Sequence, residues 1–142
     1  MRRRNTVAEM MKILLIEDSK FQRLAIDRAL VRAGYSVIQA RDGEEGLSSA
    51  RENVPDLILL DMMLPKLSGL DVLRAVKSDD LLKHIPVIVQ SGLGQANEAK
   101  LLNEGAAAFL VKSEKSFEQS AVGLIQTVRD VLARTKAGSQ KQ

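Results

Sequence analysis

The sequence predicts an α/β fold, a doubly wound parallel sheet of five strands with helices on both faces. Three observations predict it. Five short, mostly apolar runs alternate with longer runs of helical character. The 142 residues are enough for one domain, and 45% apolar with 27% charged residues is ordinary for a globular protein. Right-handed crossovers between successive parallel strands then put helices on both faces of the sheet.

The strands are predicted from short apolar runs bounded by turn-forming residues. The first run, from Lys12 to Glu17, is almost continuously apolar, which is typical of a central parallel strand buried on both faces. Pro55 and Pro86 precede the third and fourth runs, and Gly92 interrupts the fourth. We therefore expect strands over 12–17, 35–40, 56–61, 87–91 and 107–111.

The helices are predicted from capping residues and apolar stripes. Ser19 can cap the first helix, and Gly34 stands where the chain would leave it. A turn ending at Gly43 precedes the second helix, and Gly105 ends the fourth. The last helix carries an apolar stripe at spacings of three and four over 117–132. We expect helices over 20–33, 44–51, 69–79, 96–104 and 116–134.

The excess positive charge lies in the two ends of the chain. Residues 12–135 carry 16 Lys and Arg against 17 Asp and Glu, whereas the flanks carry five basic residues and one acidic residue. We expect a flexible basic arm over 1–10, the folded domain over 11–135 and a disordered tail over 136–142. A near-neutral folded part with 3% aromatic residues argues against DNA binding by this chain.

The composition excludes several other kinds of site. There is no cysteine, which excludes disulfides, thiolate metal sites and cysteine nucleophiles. The single histidine, His84, excludes paired-histidine chemistry, and its position before Pro86 predicts a surface loop residue. No nucleotide-binding phosphate loop occurs. The apolar runs are too short to cross a membrane and no secretory signal is present, so we expect a cytoplasmic protein without membrane contact.

Polar side chains stand at the ends of four predicted strands. The first strand ends in Glu17 and Asp18, the third in Asp61, the fourth in Ser91, and Lys112 follows the fifth. Ligands of open α/β sheets bind outside the carboxyl ends of the strands, so we expect these side chains to meet there. Three carboxylates together suit a hard divalent cation such as Mg²⁺. The ion, Lys112 and Ser91 can each balance one oxygen of a phosphoryl group, which makes Asp61 the candidate nucleophile.

The pattern of these residues resembles the receiver domain of two-component response regulators, over about residues 11–135. The matching positions are Glu17-Asp18, Asp61 followed by Pro65 and Gly69, Ser91-Gly92, and Phe109 to Lys112. The resemblance implies a flavodoxin-like receiver fold with strand order 2-1-3-4-5. It also implies that a histidine kinase or histidine phosphotransfer protein is the phosphoryl donor, and that any catalysis is self-catalysed transfer to Asp61 and later hydrolysis.

The resemblance also implies roles for the site residues. Asp18, Asp61 and the backbone carbonyl of Met63 would bind Mg²⁺, with Glu17 acting through a metal-bound water. Ser91 and Lys112 would hold the phosphoryl oxygens.

A conformational switch is implied as well. Ser91 would move toward the phosphoryl group and Phe109 would change rotamer. The surface of the fourth helix, fifth strand and fifth helix would then change toward a downstream protein target, or toward a second copy in a homodimer.

The sequence departs from the family pattern at three places. Ser113 follows Lys112 where the family has a cis-proline, so we expect either a trans bond with a reshaped loop or a strained cis bond. Phe109 lacks the hydroxyl of a tyrosine, so a switch there rests on packing, and a plain core aromatic is the alternative. Met63 and Leu93 cannot orient a water by hydrogen bonding, which predicts slow self-dephosphorylation unless the methionines merely cover the site.

Two other functions compete with a phosphoacceptor switch. One is a receiver-like interaction module that is not phosphorylated. The other is a phosphohydrolase working through an aspartyl phosphate, but its second acid would stand at Met63, which cannot donate a proton. The few residues after the last helix predict a single-domain regulator that acts by binding, or a part of a longer protein.

Overall fold

A computed structural model describes residues 10–92, 98–112 and 117–140. Within these ranges, five parallel strands and five helices alternate along the chain. The strands are Lys12–Ile16 (β1), Ser36–Ala40 (β2), Leu57–Asp61 (β3), Val87–Ser91 (β4) and Ala108–Val111 (β5). The helices are Lys20–Arg32 (α1), Gly43–Asn53 (α2), Gly69–Ser78 (α3), Glu98–Asn103 (α4) and Phe117–Gln140 (α5). The strands pair in the order β2-β1-β3-β4-β5, which confirms the predicted topology.

The sheet is covered on both faces, as predicted. On one face, Leu14, Ile58 and Val89 belong to a buried cluster that includes residues of α2, α3 and α4. On the other face, Ile13 and Leu59 pack in a cluster with residues of α1 and α5. Alternate residues of each strand point to opposite faces, so a continuously apolar strand fills both clusters.

The helix starts next to the site are held by short polar side chains. The Ser19 hydroxyl accepts a hydrogen bond from the Gln22 N–H at 3.3 Å at the start of α1. Asp42 accepts one from the Glu45 N–H at 2.8 Å, so α2 begins at Gly43, inside the predicted turn. These caps satisfy N–H groups that lack partners within the helix.

Helix α5 is longer than predicted. It continues to Gln140, although its end was predicted at residue 134 and a disordered tail from 136. The prediction followed the apolar stripe, which stops at Leu132. Residues 133–137 are nonetheless compatible with a helix, and the Thr135 hydroxyl donates to the Val131 carbonyl at 3.0 Å.

Some predicted features lie outside the described residues. These are the basic arm up to residue 9, the predicted start of α4 at residues 96 and 97, Leu93, Ser113 and residues 141–142. The form of the peptide bond between Lys112 and Ser113 therefore stays a prediction.

Gly69 allows the start of α3 to touch the loop that follows β3. A Cβ at this position would lie 2.6 Å from the Met62 Cα and 2.7 Å from the Asp61 carbonyl oxygen. The Gly69 N–H also donates to the Met62 carbonyl at 3.2 Å. Because both neighbours are backbone atoms, a side chain here must displace the strand end that carries Asp61.

Gly69→Ala is expected to destabilise the fold by about 1–3 kcal/mol, the usual cost of overpacking a tight contact. Gly123→Ala is the matched control, since Gly123 is an exposed position of α5 where a Cβ would meet nothing within 4 Å. The control should stabilise by about 0.5–1 kcal/mol, because alanine is a better helix former than glycine. Urea denaturation measures both, and equal stabilities for the two variants would contradict the close approach.

Candidate functional site

Three acidic side chains meet at the carboxyl ends of β1 and β3. Glu17 and Asp18 follow β1 directly, and Asp61 is the last residue of β3. One carboxylate oxygen from each of the three lies within 4.8 Å of the others. Glu17 and Asp61 are buried, with 1% and 4% exposed, whereas Asp18 is exposed to solvent.

Lys112, which follows the edge strand β5, reaches these acids with its side chain. Its Nζ donates to Glu17 Oε1 at 2.9 Å and lies 3.3 Å from Asp61 Oδ2. The same ammonium donates to Gln22 Oε1 at 2.9 Å, and the Lys112 backbone N–H donates to the Ser91 carbonyl at 2.7 Å. The side chain therefore has three oxygen acceptors within reach.

Backbone N–H groups orient the two buried carboxylates. The Met63 N–H donates to Asp61 Oδ1 at 3.1 Å, and the Ser19 N–H donates to Glu17 Oε2 at 3.2 Å. In each case the other carboxylate oxygen faces Lys112. One oxygen of each group is thus held by the backbone while the other lies beside the positive charge.

The electrostatics of the cluster follow from its burial. Burial, helped by the negative charge of Asp61, raises the pKa of Glu17 to about 7, against the lowering effect of the hydrogen bond and charge of Lys112. Burial would lower the pKa of Lys112, but the hydrogen bond to Glu17 and the charges of Asp61 and Glu17 outweigh it and raise that pKa. Lys112 therefore stays charged and neutralises part of the acidic cluster.

The donor set fits a hard divalent cation. Carboxylate oxygens are the side-chain ligands that Mg²⁺ prefers, and three carboxylates converge here, of which that of Asp18 is exposed to solvent. Burial first, and the charge of Asp61 after it, raises the pKa of Glu17, and a bound cation would favour the charged form of these carboxylates. Met63, whose carbonyl was a further candidate ligand, has an exposed side chain, while the neighbouring Met62 packs against the core.

The two residues predicted to switch lie on the paired strands β4 and β5. Ser91 ends β4, is fully buried, and its hydroxyl donates to the Gly92 carbonyl at 3.3 Å. Phe109 lies on β5, is half-buried, and packs against the cluster shared with α2, α3 and α4. His84 is exposed, as predicted.

Two residues of α1 in contact with the site were not singled out from the sequence. Gln22 accepts from Lys112, and Arg23 is buried and donates to the carbonyl of Glu17 at 3.0 Å. A signal for Arg23 existed, because it stands three and seven positions before the core residues Ile26 and Leu30. A charged residue at such a position is buried with a partner.

None of the helices in the described part of the chain is long and apolar enough to cross a membrane.

The chain is similar to known proteins along most of its length. The family model for the response regulator receiver domain matches residues 13–121. The polar-differentiation response regulator DivK of Brucella anthropi is 37% identical over 101 residues, which cover 70% of this chain and 82% of that protein. A gliding motility regulatory protein of Myxococcus xanthus is 42% identical over 113 residues, covering 78% of this chain but only 14% of the larger protein. A solved response regulator receiver domain from Clostridium thermocellum has a TM-score of 0.80 at 32% identity, covering 90% of this chain and 98% of that one.

Proposed function

The chain belongs to the response regulator receiver domain family of two-component signalling, and on this premise we propose that Asp61 is its phosphoacceptor. The observation that supports this most is the position of Lys112 Nζ, which lies beside both Asp61 and Glu17. A carboxylate next to a retained ammonium and a cation-binding cluster suits transfer of a phosphoryl group, whose oxygens need positive charge around them.

The transfer itself forms one bond and breaks one. An oxygen of the Asp61 carboxylate attacks phosphorus as the nitrogen–phosphorus bond of a phosphohistidine donor breaks, and the electron pair returns to the imidazole. The Met63 N–H holds the Asp61 carboxylate during the attack. Lys112 and the Ser91 hydroxyl donate to the oxygens of the transferred group.

The acidic cluster is the proposed magnesium site. Glu17, Asp18 and Asp61, with the backbone carbonyl of Met63, would hold the ion. When bound, Mg²⁺ neutralises the carboxylates and draws charge from the phosphoryl oxygens. Because Lys112 shares Glu17 and Asp61 with that site, it is the side chain that can turn toward the incoming phosphoryl group.

The phosphoryl donor is a histidine kinase or a histidine phosphotransfer protein in this proposal. A groove of about 690 Å³ between α1 and α5 offers it an apolar surface close to the site. Phe21 and Val122 line this groove and are 81% and 72% exposed. Phe21 directly precedes Gln22, which touches Lys112.

Output would run through the face formed by α4, β5 and α5. Leu102 and Val111 expose apolar surface there, with 43% and 46% exposed. Phosphorylation would draw in Ser91 and move Phe109 on β5, so that this face binds a downstream protein or a second copy of the chain.

The chemistry is tested by incubating the chain with Mg²⁺ and acetyl phosphate, and separately with a panel of phosphorylated histidine kinases. Borohydride reduction converts an aspartyl phosphate to homoserine, which peptide mass spectrometry locates. We expect the conversion at Asp61. Conversion at another carboxylate would contradict the assignment, and no response to any donor or to beryllofluoride would favour an unphosphorylated interaction module.

A further inference from the structure

A buried guanidinium lies behind the acidic pair at the end of β1. Arg23 has 8% of its surface exposed. Its Nη1 donates to the Glu17 carbonyl at 3.0 Å and lies 3.5 Å from the Asp18 carbonyl, and its Nε donates to Gln39 Oε1 at 3.0 Å. One side chain therefore ties α1 and β2 to the backbone of two proposed metal ligands.

The hydrogen bonds of Arg23 go to neutral oxygens rather than to acidic side chains. Gln39, which accepts from Arg23, in turn donates from its Nε2 to Asp27 Oδ2 at 2.7 Å. Asp27 lies one turn after Arg23 on α1, so the network closes on the same helix. The contacts to the acidic pair go to main-chain oxygens, which sets the peptide planes that carry the two side chains.

The carbonyl groups of Glu17 and Asp18 accept hydrogen bonds from outside the sheet. The Glu17 N–H still bonds to the Ala40 carbonyl at 3.1 Å, but beyond it the chain leaves the sheet. The carbonyls of Glu17 and Asp18 then depend on a donor from elsewhere, and Arg23 supplies it. A planar guanidinium can hold several acceptors in fixed directions, which a lysine ammonium cannot do.

We propose that Arg23 is a positioning residue for the magnesium site, acting through the backbone of Glu17 and Asp18; this inference rests on the proposed function. Removing Arg23 would have two opposite effects on the affinity for the cation. Losing a positive charge near three carboxylates would tighten cation binding, whereas losing the hold on the carbonyls would weaken it. Because the Arg23 guanidinium is buried and hydrogen-bonded to this backbone, we expect the loss of its hold on the carbonyls to outweigh the loss of its charge. Loss of a residue that orients metal ligands typically weakens metal binding by about 10–100-fold.

The test is a Mg²⁺ titration followed by amide chemical shifts in ¹⁵N-labelled protein. Arg23→Gln removes the charge and the guanidinium, and Arg23→Lys keeps the charge but not the planar guanidinium that holds several acceptors at once. Both are expected to bind Mg²⁺ about 10–100-fold more weakly than the wild type. Arg28→Gln is the matched control, since Arg28 is exposed on the same helix, and it should stay within about twofold, as expected of a screened surface charge. Equal or tighter binding by Arg23→Gln, or unchanged binding by Arg23→Lys, would overturn the proposal.

A milder variant covers the case in which Arg23 substitutions fail to fold. Gln39→Met, at an exposed position of β2, leaves Arg23 in place but removes the acceptor of its Nε. It should weaken Mg²⁺ binding several-fold, and unchanged affinity would count against the proposal.

The two proposals fail in different ways. If the wild type binds no Mg²⁺, or if Asp18→Asn does not weaken binding, the proposed metal site is wrong. If the wild type binds Mg²⁺ and loses it in Asp18→Asn, while Arg23→Lys and Gln39→Met bind normally, only the role of Arg23 is wrong.

Discussion

Asp61→Asn is expected to abolish phosphoryl acceptance, with no alkali-labile, hydroxylamine-sensitive product on this chain from acetyl phosphate or a kinase donor. An amide has no anionic oxygen with which to attack phosphorus, and it removes one of the three carboxylates of the cluster. The shape of the side chain is nearly unchanged, and the Met63 N–H keeps an oxygen acceptor, so the fold should be retained.

The same substitution has a second readout that does not involve phosphate. The charge of Asp61 helps to raise the pKa of Glu17 to about 7, and its removal also leaves Lys112 free to pair with Glu17 alone. The pKa of Glu17 should therefore fall, as measured by ¹³C NMR of its carboxyl carbon.

The control for Asp61 is Asp80→Asn. The Asp80 side chain is 96% exposed and pairs only at the surface with Lys83. The Asp80→Asn variant should be phosphorylated at Asp61 at the wild-type rate, and its Glu17 should keep the wild-type pKa. Full labelling of Asp61→Asn, or an equal loss in Asp80→Asn, would refute the assignment of the nucleophile.

Lys112→Met should slow phosphorylation by acetyl phosphate about 100–1,000-fold, the usual effect of removing one donor from a developing oxyanion. The rate is measured at saturating Mg²⁺, so that the loss reports transfer rather than ion binding. Lys83→Met is the matched control, because the Lys83 ammonium is paired at the surface with Asp80. An equal rate for both variants would remove Lys112 from the mechanism.

Lys112→Met should also change how stability depends on pH. In the wild type, Glu17 has a pKa of about 7 in the folded chain against an ordinary value of 4.5, so the folded state binds more protons between these values. The contribution of Glu17 to stability therefore falls as pH rises through that window. Without Lys112 the pKa of Glu17 rises further, and the loss continues to higher pH.

The expected difference is largest in mildly alkaline solution. Urea denaturation with a chelator present should show Lys112→Met less stable than the wild type by about 1–3 kcal/mol at pH 8, and by much less at pH 5. The lower end reflects the partial exposure of Lys112, at 27% of its side chain. Lys83→Met should stay within about 0.5 kcal/mol at both pH values. A gap that is the same at both pH values would contradict the pairing of Lys112 with Glu17.

Most of the fold could be predicted because local and global signals agree. A strand such as β1, apolar on both sides, requires helices on both faces, and caps such as Ser19 and Gly34 stand where the structure has them. The end of α5 could not be predicted from the apolar stripe, since its last residues are helical without contributing to that stripe. The pattern of apolar residues does not mark the end of a helix whose last turns make no contact with the core.

The site was predictable as far as it follows the strand ends. Parallel strands bring Asp61 and Lys112 to one edge of the sheet, whatever their separation in sequence. Gln22 was different, because its contact with Lys112 joins residues 90 positions apart through the reach of two long side chains. Such a contact depends on the placement of α1 relative to β5, which periodicity does not determine.

The contact of Gly69 with the loop after Asp61 constrains how the proposed switch can begin. The backbones touch there and a hydrogen bond joins Gly69 to Met62, so a displacement of this loop would have to displace the start of α3 with it. A displacement of Asp61 toward the start of α3 would therefore be opposed by this contact. In the proposed switch we therefore expect the larger displacement on the other side of Asp61, where the Lys112 N–H donates to the Ser91 carbonyl and joins β5 to β4.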